Sequence, residues 1–191
     1  MKMRPILFSA PMVRALLGDR KTMTRRAVKP QPTFPEFAER VIWTDEHGSP
    51  GLEIYDAHCM ARGAWATECP YGKPGDILWV RETFATDDGK TFWYRADGET
   101  YNHGLPWTPS IHMPRKAARI FLQITGVRVE RLGAITKEDA QAEGLLKLNA
   151  SGRFVVAQGE QYFGLADHNP RAVFRRLWES INGEGSWDAN P

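Results

Sequence analysis

A lysine and a threonine three residues apart, Lys21 and Thr24, stand in the stretch Gly18-Asp19-Arg20-Lys21-Thr22-Met23-Thr24-Arg25-Arg26. An amine beside a hydroxyl is suited to acyl-transfer chemistry. A neutral lysine takes the proton of the threonine, or of a water, and the oxygen attacks a carbonyl carbon. Arg20, Arg25 and Arg26 crowd the lysine, and neighbouring like charges push its pKa down toward the neutral form. In extended backbone, positions i and i+3 point to opposite faces. A chain reversal after Gly18 is therefore required to bring the two groups together; without it Lys21 is a surface cation and Thr24 an ordinary strand residue.

The Lys-Thr pair also occurs in phosphate-binding P-loops. Here Arg20 replaces the glycine that precedes the lysine in that motif, and the stretch follows a helical segment rather than a strand, so a P-loop is excluded. Residues 1–30 carry eight Lys/Arg against one acid, Asp19, a local charge of +7 in a chain of net +2. Such a patch suits a phosphate or polyanion, or is simply a solvated basic face. Trp79 is a candidate for stacking on a base, with Arg81 and Glu82 to read its edge or a phosphate. On a strand, Trp79 and Arg81 share one face and Glu82 takes the other; core packing is the competing reading for Trp79. His112 and Arg115 offer an acid/base near neutrality and a cation, or a plain loop, and Tyr94 and Arg95 carry the same two readings.

These residues need elements to position them. A helix over 9–18 places the reversal: Ser9 can cap it, Pro11 sits in its first turn, Met12, Ala15 and Leu16 share a face, and Gly18 can close it in a left-handed conformation. Residues 30–75 are rich in Pro and Gly and read as a long excursion with a short strand pair near 41–43 and 52–54. Asp76–Thr83 alternates as a strand, and Thr91–Ala96 reads as its hairpin partner. Arg119–Leu132 reads as the longest strand, with a bulge at Gly126 where the apolar phase shifts from Ile120, Leu122 and Ile124 to Val127 and Val129. A helix follows between Thr136 and Gly144, with Thr136 and Asp139 at capping-box spacing. A last helix opens at Asn169-Pro170, ends at Gly183 and presents Val173, Phe174, Leu177, Trp178 and Ile181 to the core.

With 191 residues, 42% of them hydrophobic, and 21 aromatics, the chain can bury a core and keep aromatic side chains for binding, as one domain. No run of about 18 apolar residues is present. The N-terminus resembles a secretion signal in charge, but Pro5, Pro11 and Arg14 interrupt it, so it reads as mature structure of a cytoplasmic protein. Cys59 and Cys69 lie too far apart for a zinc pair, even with His47 and His58 nearby, and read as free thiols. No metal or cofactor is expected.

Gly18 to Arg26, together with "ILFSAPMVRALLGDRKTMTRR", "CPYGKPGDILWVRET", "IHMPRKAARIFLQITGVRVERL", "ITKEDAQAEG" and "LWESING", resembles the ASCH family of PUA-like proteins, in its phage- and prophage-borne branch. The likeness runs in order over most of the chain. It implies an α+β fold, a PUA-like mixed β-barrel with short flanking helices and an extended insertion over about 30–75, as a single domain over 1–191. It implies a nucleoside or single-stranded nucleic acid as partner, a phage or host protein as a further one, and no membrane. Members include RNA-binding modules, a ribonuclease and small amidohydrolases that deacylate N4-acetylcytidine. The motif of those amidohydrolases carries over onto Lys21, Thr24 and Glu143, with Arg25 or Arg26 left to stabilise an oxyanion or bind a phosphate. Glu143 falls in the last turn of its helix, where the macrodipole disfavours a carboxylate by about 0.3–1 kcal/mol; it either pairs with a cation, for which Lys21 is the obvious partner, or is an exposed residue of a frayed turn. The chain is longer than those small enzymes, by stretches near 30–75 and 97–118.

Overall fold

The computed structural model describes residues 1–29, 38–43, 52–56, 69–98, 102–158 and 161–189; at 38–43, 52–56, 157–158 and 161–165 it describes the backbone alone. In chain order the strands and α-helices are β1 (Met3–Leu7), α1 (Ala10–Leu17), β2 (Ala38–Trp43), β3 (Leu52–Asp56), β4 (Ile77–Arg81), β5 (Phe84–Ala85), β6 (Trp93–Tyr94), β7 (Phe121–Gln123), α2 (Lys137–Ala142), β8 (Leu146–Lys147), β9 (Phe154–Gln158), β10 (Gln161–Asp167) and α3 (Pro170–Asn182). This is a mixed α+β architecture. Its four sheets have three, three, two and two strands, and none of them closes into a barrel among the described residues. The chain falls into two compact units: Met1–Ile6, Val28–Val80 and Arg119–Val129 in the first, Leu7–Ala27, Arg81–Ala118 and Glu130–Pro191 in the second.

In the first unit β4 lies between β1 and β7. Leu78 and Val80 are buried while Ile77 and Trp79 are half-buried, the period-2 alternation that the sequence predicts. β7 runs antiparallel to β4, with Phe121 opposite Trp79 and Gln123 opposite Ile77. The long strand expected over Arg119–Leu132 is only these three residues. Its ladder stops because β4 begins in a turn: Ile124 N donates to Asp76 O at 2.9 Å and Gly75 N to Ile124 O at 2.8 Å. The half-buried positions do change phase across Gly126, from Leu122 and Ile124 to Val127 and Val129. The Asp76 carboxylate ties the turn to the N-terminus, accepting from Lys2 N at 2.6 Å and Lys73 N at 3.3 Å. The Lys2 amide bond is the main reason its pKa lies below the usual range. β2 pairs antiparallel with β3, Val41 opposite Ile54 and Trp43 opposite Leu52, matching the strand pair expected there. The rest of the excursion expected over 30–75, with Cys59, lies largely outside the described residues; Cys69 is a half-buried free thiol.

In the second unit α1 starts after an extended Ser9 that makes no side-chain cap. Its buried residues are Val13 and Ala15, with Met12 and Leu16 only half-buried, so its core face is rotated from the one expected. β6 pairs with β5, Phe84 opposite Tyr94 and Ala85 opposite Trp93. The hairpin expected between Thr91–Ala96 and Asp76–Thr83 does not form, because β1 and β7 occupy both edges of β4 and Trp93-Tyr94 pairs with the next two residues instead. The β8–β9–β10 sheet is unanticipated, although Phe154-Val155-Val156 and Tyr162-Phe163 flank Gly159 as two β-rich runs. Leu132, Ile135, Ala140, Leu145, Phe154, Val173, Phe174 and Trp178 form one buried cluster that joins α2, this sheet and α3. Asn169 caps α3, its side chain accepting from Arg171 N. Ile181, expected in the core, is 57% exposed in the last turn of α3.

α2 is short and depends on its cap. Thr136 Oγ1 accepts from Asp139 N at 3.0 Å. Thr136→Ala should cost about 1 kcal/mol in urea denaturation; a loss below about 0.3 kcal/mol would show that core packing alone holds this helix.

Candidate functional site

The site is built by two backbone segments. After α1 the chain reverses: Gly18 N donates to Arg14 O at 3.0 Å, and Arg20 N and Lys21 N both donate to Ala15 O, at 2.9 and 3.1 Å. The left-handed residue of this reversal is Asp19, with φ 54°, while Gly18 has φ −97°. The cap expected at Gly18 is thus displaced by one residue, and aspartate is among the few side chains that tolerate the conformation. The second segment is the end of α2. Thr22 N and Met23 N donate to Ala142 O at 2.9 and 3.0 Å, and Lys21 and Glu143 form an antiparallel bridge. Gly144, at φ 105°, allows this approach: a Cβ there would lie 2.9 Å from Ala15 Cβ and 3.1 Å from Lys21 Cβ.

The bridge sets an ion pair inside the protein. Lys21 Nζ lies 2.8 Å from Glu143 Oε2, with side chains 2% and 5% exposed. Nζ also donates to Glu143 O at 2.9 Å and Met23 O at 2.7 Å. The three protons of an ammonium thus meet three acceptors. Burial pushes the Lys21 pKa below its ordinary value; the charge and hydrogen bond of Glu143 oppose the shift, and Arg26 and Arg25 add to it. Phe8, 3% exposed, lies beneath both Lys21 and Arg26, each cation 5.6 Å from its ring centroid. Sequence reasoning missed Phe8; its signal is an aromatic residue directly before the helix whose end carries the lysine.

The cations divide by role. Arg25 is spent on carboxylates: NH2 bonds Asp139 at 2.8 Å and Glu130 at 3.0 Å, and NH1 bonds Glu143 Oε1 at 3.3 Å. Burial opposes its charge, but the hydrogen bonds to Glu130 and Asp139 and the charge of Glu143 outweigh this and raise its pKa. Arg26 is exposed and donates to Thr24 Oγ1 at 3.1 Å, Arg25 O at 3.0 Å and Leu7 O at 3.1 Å. Arg20 is half-buried, and its Nε is buried without an acceptor among the described residues.

Lys21 and Glu143 therefore meet, and Thr24 is their neighbour rather than their partner. Nζ sits on the carbonyl that leads into Thr24, whose hydroxyl accepts from Arg26, and no hydrogen bond joins Nζ to Thr24 Oγ1. Of the other candidates, Arg81 is joined through its backbone to the residue beneath Lys21, Phe8 N donating to Arg81 O at 3.0 Å. Arg81 donates to Met113 O and to Ile111 O, holding the 3-10 turn at Ser110–His112. Glu82 is 1% exposed, and its amide donates to Met113 Sδ. His112, in that turn, and Arg115, at the start of the next 3-10 turn, are exposed, and Trp79 belongs to the first unit. Among the described residues no cluster of His, Cys, Asp and Glu could hold a metal ion. None of the described helices is long and apolar enough to cross a membrane.

No protein-family model, no curated protein and no solved structure matches the chain.

Gly144→Ala tests the close approach on which the bridge rests. It should cost about 2 kcal/mol or more, from the positive φ and from displacement of Ala15 and Lys21. A change within about 0.5 kcal/mol would mean that the two segments can part freely.

Proposed function

We propose that this chain is an ASCH-type, PUA-like protein that hydrolyses an exocyclic amide on a modified cytidine, with N4-acylated cytidine as substrate class. The observation that carries the reading is the buried Lys21–Glu143 pair, 2.8 Å apart, beside a threonine hydroxyl held by an exposed arginine. A pair of titratable groups with burial forcing one of them from its ordinary pKa is a hallmark of acid/base sites.

The chemistry runs as a proton circuit. Lys21 passes a proton to Glu143 Oε2 and becomes a neutral amine. Turning from Met23 O, the amine takes the proton of Thr24, or of a water, as that oxygen attacks the acyl carbon. The Arg26 guanidinium opposes the developing oxyanion, since Arg25 is already occupied by three carboxylates. Glu143 gives its proton to the exocyclic nitrogen as the C–N bond breaks. Where Thr24 is the nucleophile, water then hydrolyses the acyl ester; the products are cytidine and a carboxylic acid.

A second reading has its own support. The Lys21 ammonium has acceptors for all its protons, as a purely structural pair would, while Arg26 stands exposed. That arginine suits a phosphate of a single-stranded nucleic acid, bound without turnover.

Incubation with N4-acetylcytidine, followed by chromatography for cytidine, separates the two. Hydrolysis should fall by about 100-fold or more in Lys21→Ala and in Thr24→Ala. Because the proton that leaves Lys21 is kept on Glu143 for the leaving nitrogen, the pair works with one proton in place, so kcat should be level at pH values below the lowered Lys21 pKa and fall as the pH rises through it. No turnover, or turnover indifferent to Lys21→Ala, rejects the hydrolase. Salt-sensitive binding of single-stranded RNA that persists in Thr24→Ala would then support the second reading.

A further inference from the structure

We propose that Arg25 is the positioning residue of the Lys21–Glu143 pair, clamping Glu143 Oε1 so that Oε2 is held toward Lys21. Its charge and position alone suggest an anion-binding role, but its surroundings argue otherwise. Its guanidinium faces Glu143, Asp139 and Glu130 at 2.8 to 3.3 Å, and an incoming phosphate or oxyanion would meet three carboxylates. The planar fork suits a clamp: NH1 takes Glu143 while NH2 takes the other two, and the side chain is only 17% exposed. Two of these anchors come from the α2 segment. Asp139 stands one turn before Glu143, so one arginine fixes the carboxylate relative to its own helix. Glu130 adds an anchor from the stretch before α2.

The charged groups around Glu143 among the described residues are these. Lys21 meets Oε2, Arg25 meets Oε1, Asp139 and Glu130 act through Arg25, and Arg26 acts on Lys21. Without Arg25, the Glu143 carboxylate loses the partner of Oε1, so it is freed to rotate away from Lys21. As a role in catalysis this rests on the hydrolase reading above; as a constraint on Glu143 it does not.

The test uses Arg25→Gln and Arg25→Lys in the full chain, with crystal structures read for the Lys21 Nζ to Glu143 Oε2 contact and steady-state kinetics on N4-acetylcytidine. In Arg25→Gln the Glu143 carboxylate should turn, so that Oε2 leaves hydrogen-bond distance of Nζ. Its kcat should fall about tenfold or more while KM stays within about threefold, because Arg25 does not touch substrate. Arg25→Lys keeps the charge without the fork and should give a smaller displacement; it decides the matter should Arg25→Gln fail to fold. An unmoved Glu143 carboxylate in a folded variant overturns the proposal, whatever the protein hydrolyses. A raised KM with unchanged kcat also overturns it, by making Arg25 a substrate contact. A displaced carboxylate in a protein without turnover supports the clamp and removes the hydrolase reading alone.

Discussion

A buried ion pair between residues 122 positions apart organises the second unit. Taking an ammonium and a carboxylate out of water is costly, and their attraction repays the cost only when the remaining hydrogen-bonding capacity is satisfied. Here it is. Lys21 meets two carbonyls and a carboxylate, and Glu143 meets Lys21 on one oxygen and Arg25 on the other. Much of the local architecture serves this satisfaction: the reversal at Asp19, the rungs onto Ala142 O, and a glycine at 144 where a larger residue would force the segments apart.

The pair also separates the basic residues of the N-terminal region into distinct classes. In sequence, Arg20, Lys21, Arg25 and Arg26 form one charge run. In space Lys21 is internal, Arg25 is bound to three carboxylates, Arg26 lies at the surface against Phe8 and Thr24, and the buried Nε of Arg20 has no acceptor among the described residues. A local charge of +7 thus overstates the positive surface, because part of it is neutralised by acids from the far end of the chain.

Local patterns were the most legible part of the sequence. The helices around Thr136 and Asn169, the alternation in β4, and the phase change at Gly126 all arise from near neighbours, and short-range rules reach them. Elements decided by competition between distant partners were not legible. Trp93-Tyr94 pairs with Phe84-Ala85 because β4 already has neighbours on both edges, and the strand from Arg119 ends where β4 ends. At the site, the need for a reversal before Lys21 is readable from spacing, but the shift of the left-handed residue from Gly18 to Asp19 is not. Neither is the fate of Arg25, since nothing near it in sequence announces Glu130, Asp139 or Glu143 as partners. The position of Glu143 opposite Lys21 leaves no local trace either; a family resemblance draws attention to Glu143, and the bridge between the two backbones supplies the contact.

The most direct test of the central claim is a double-mutant cycle on Lys21→Met and Glu143→Leu, read by denaturation. Each single substitution leaves the other buried charge without its closest partner and should cost roughly 3 kcal/mol, whereas the double removes both charges and should cost less than either single. Costs that simply add would contradict the account, because they would mean that the two groups do not depend on each other inside the protein.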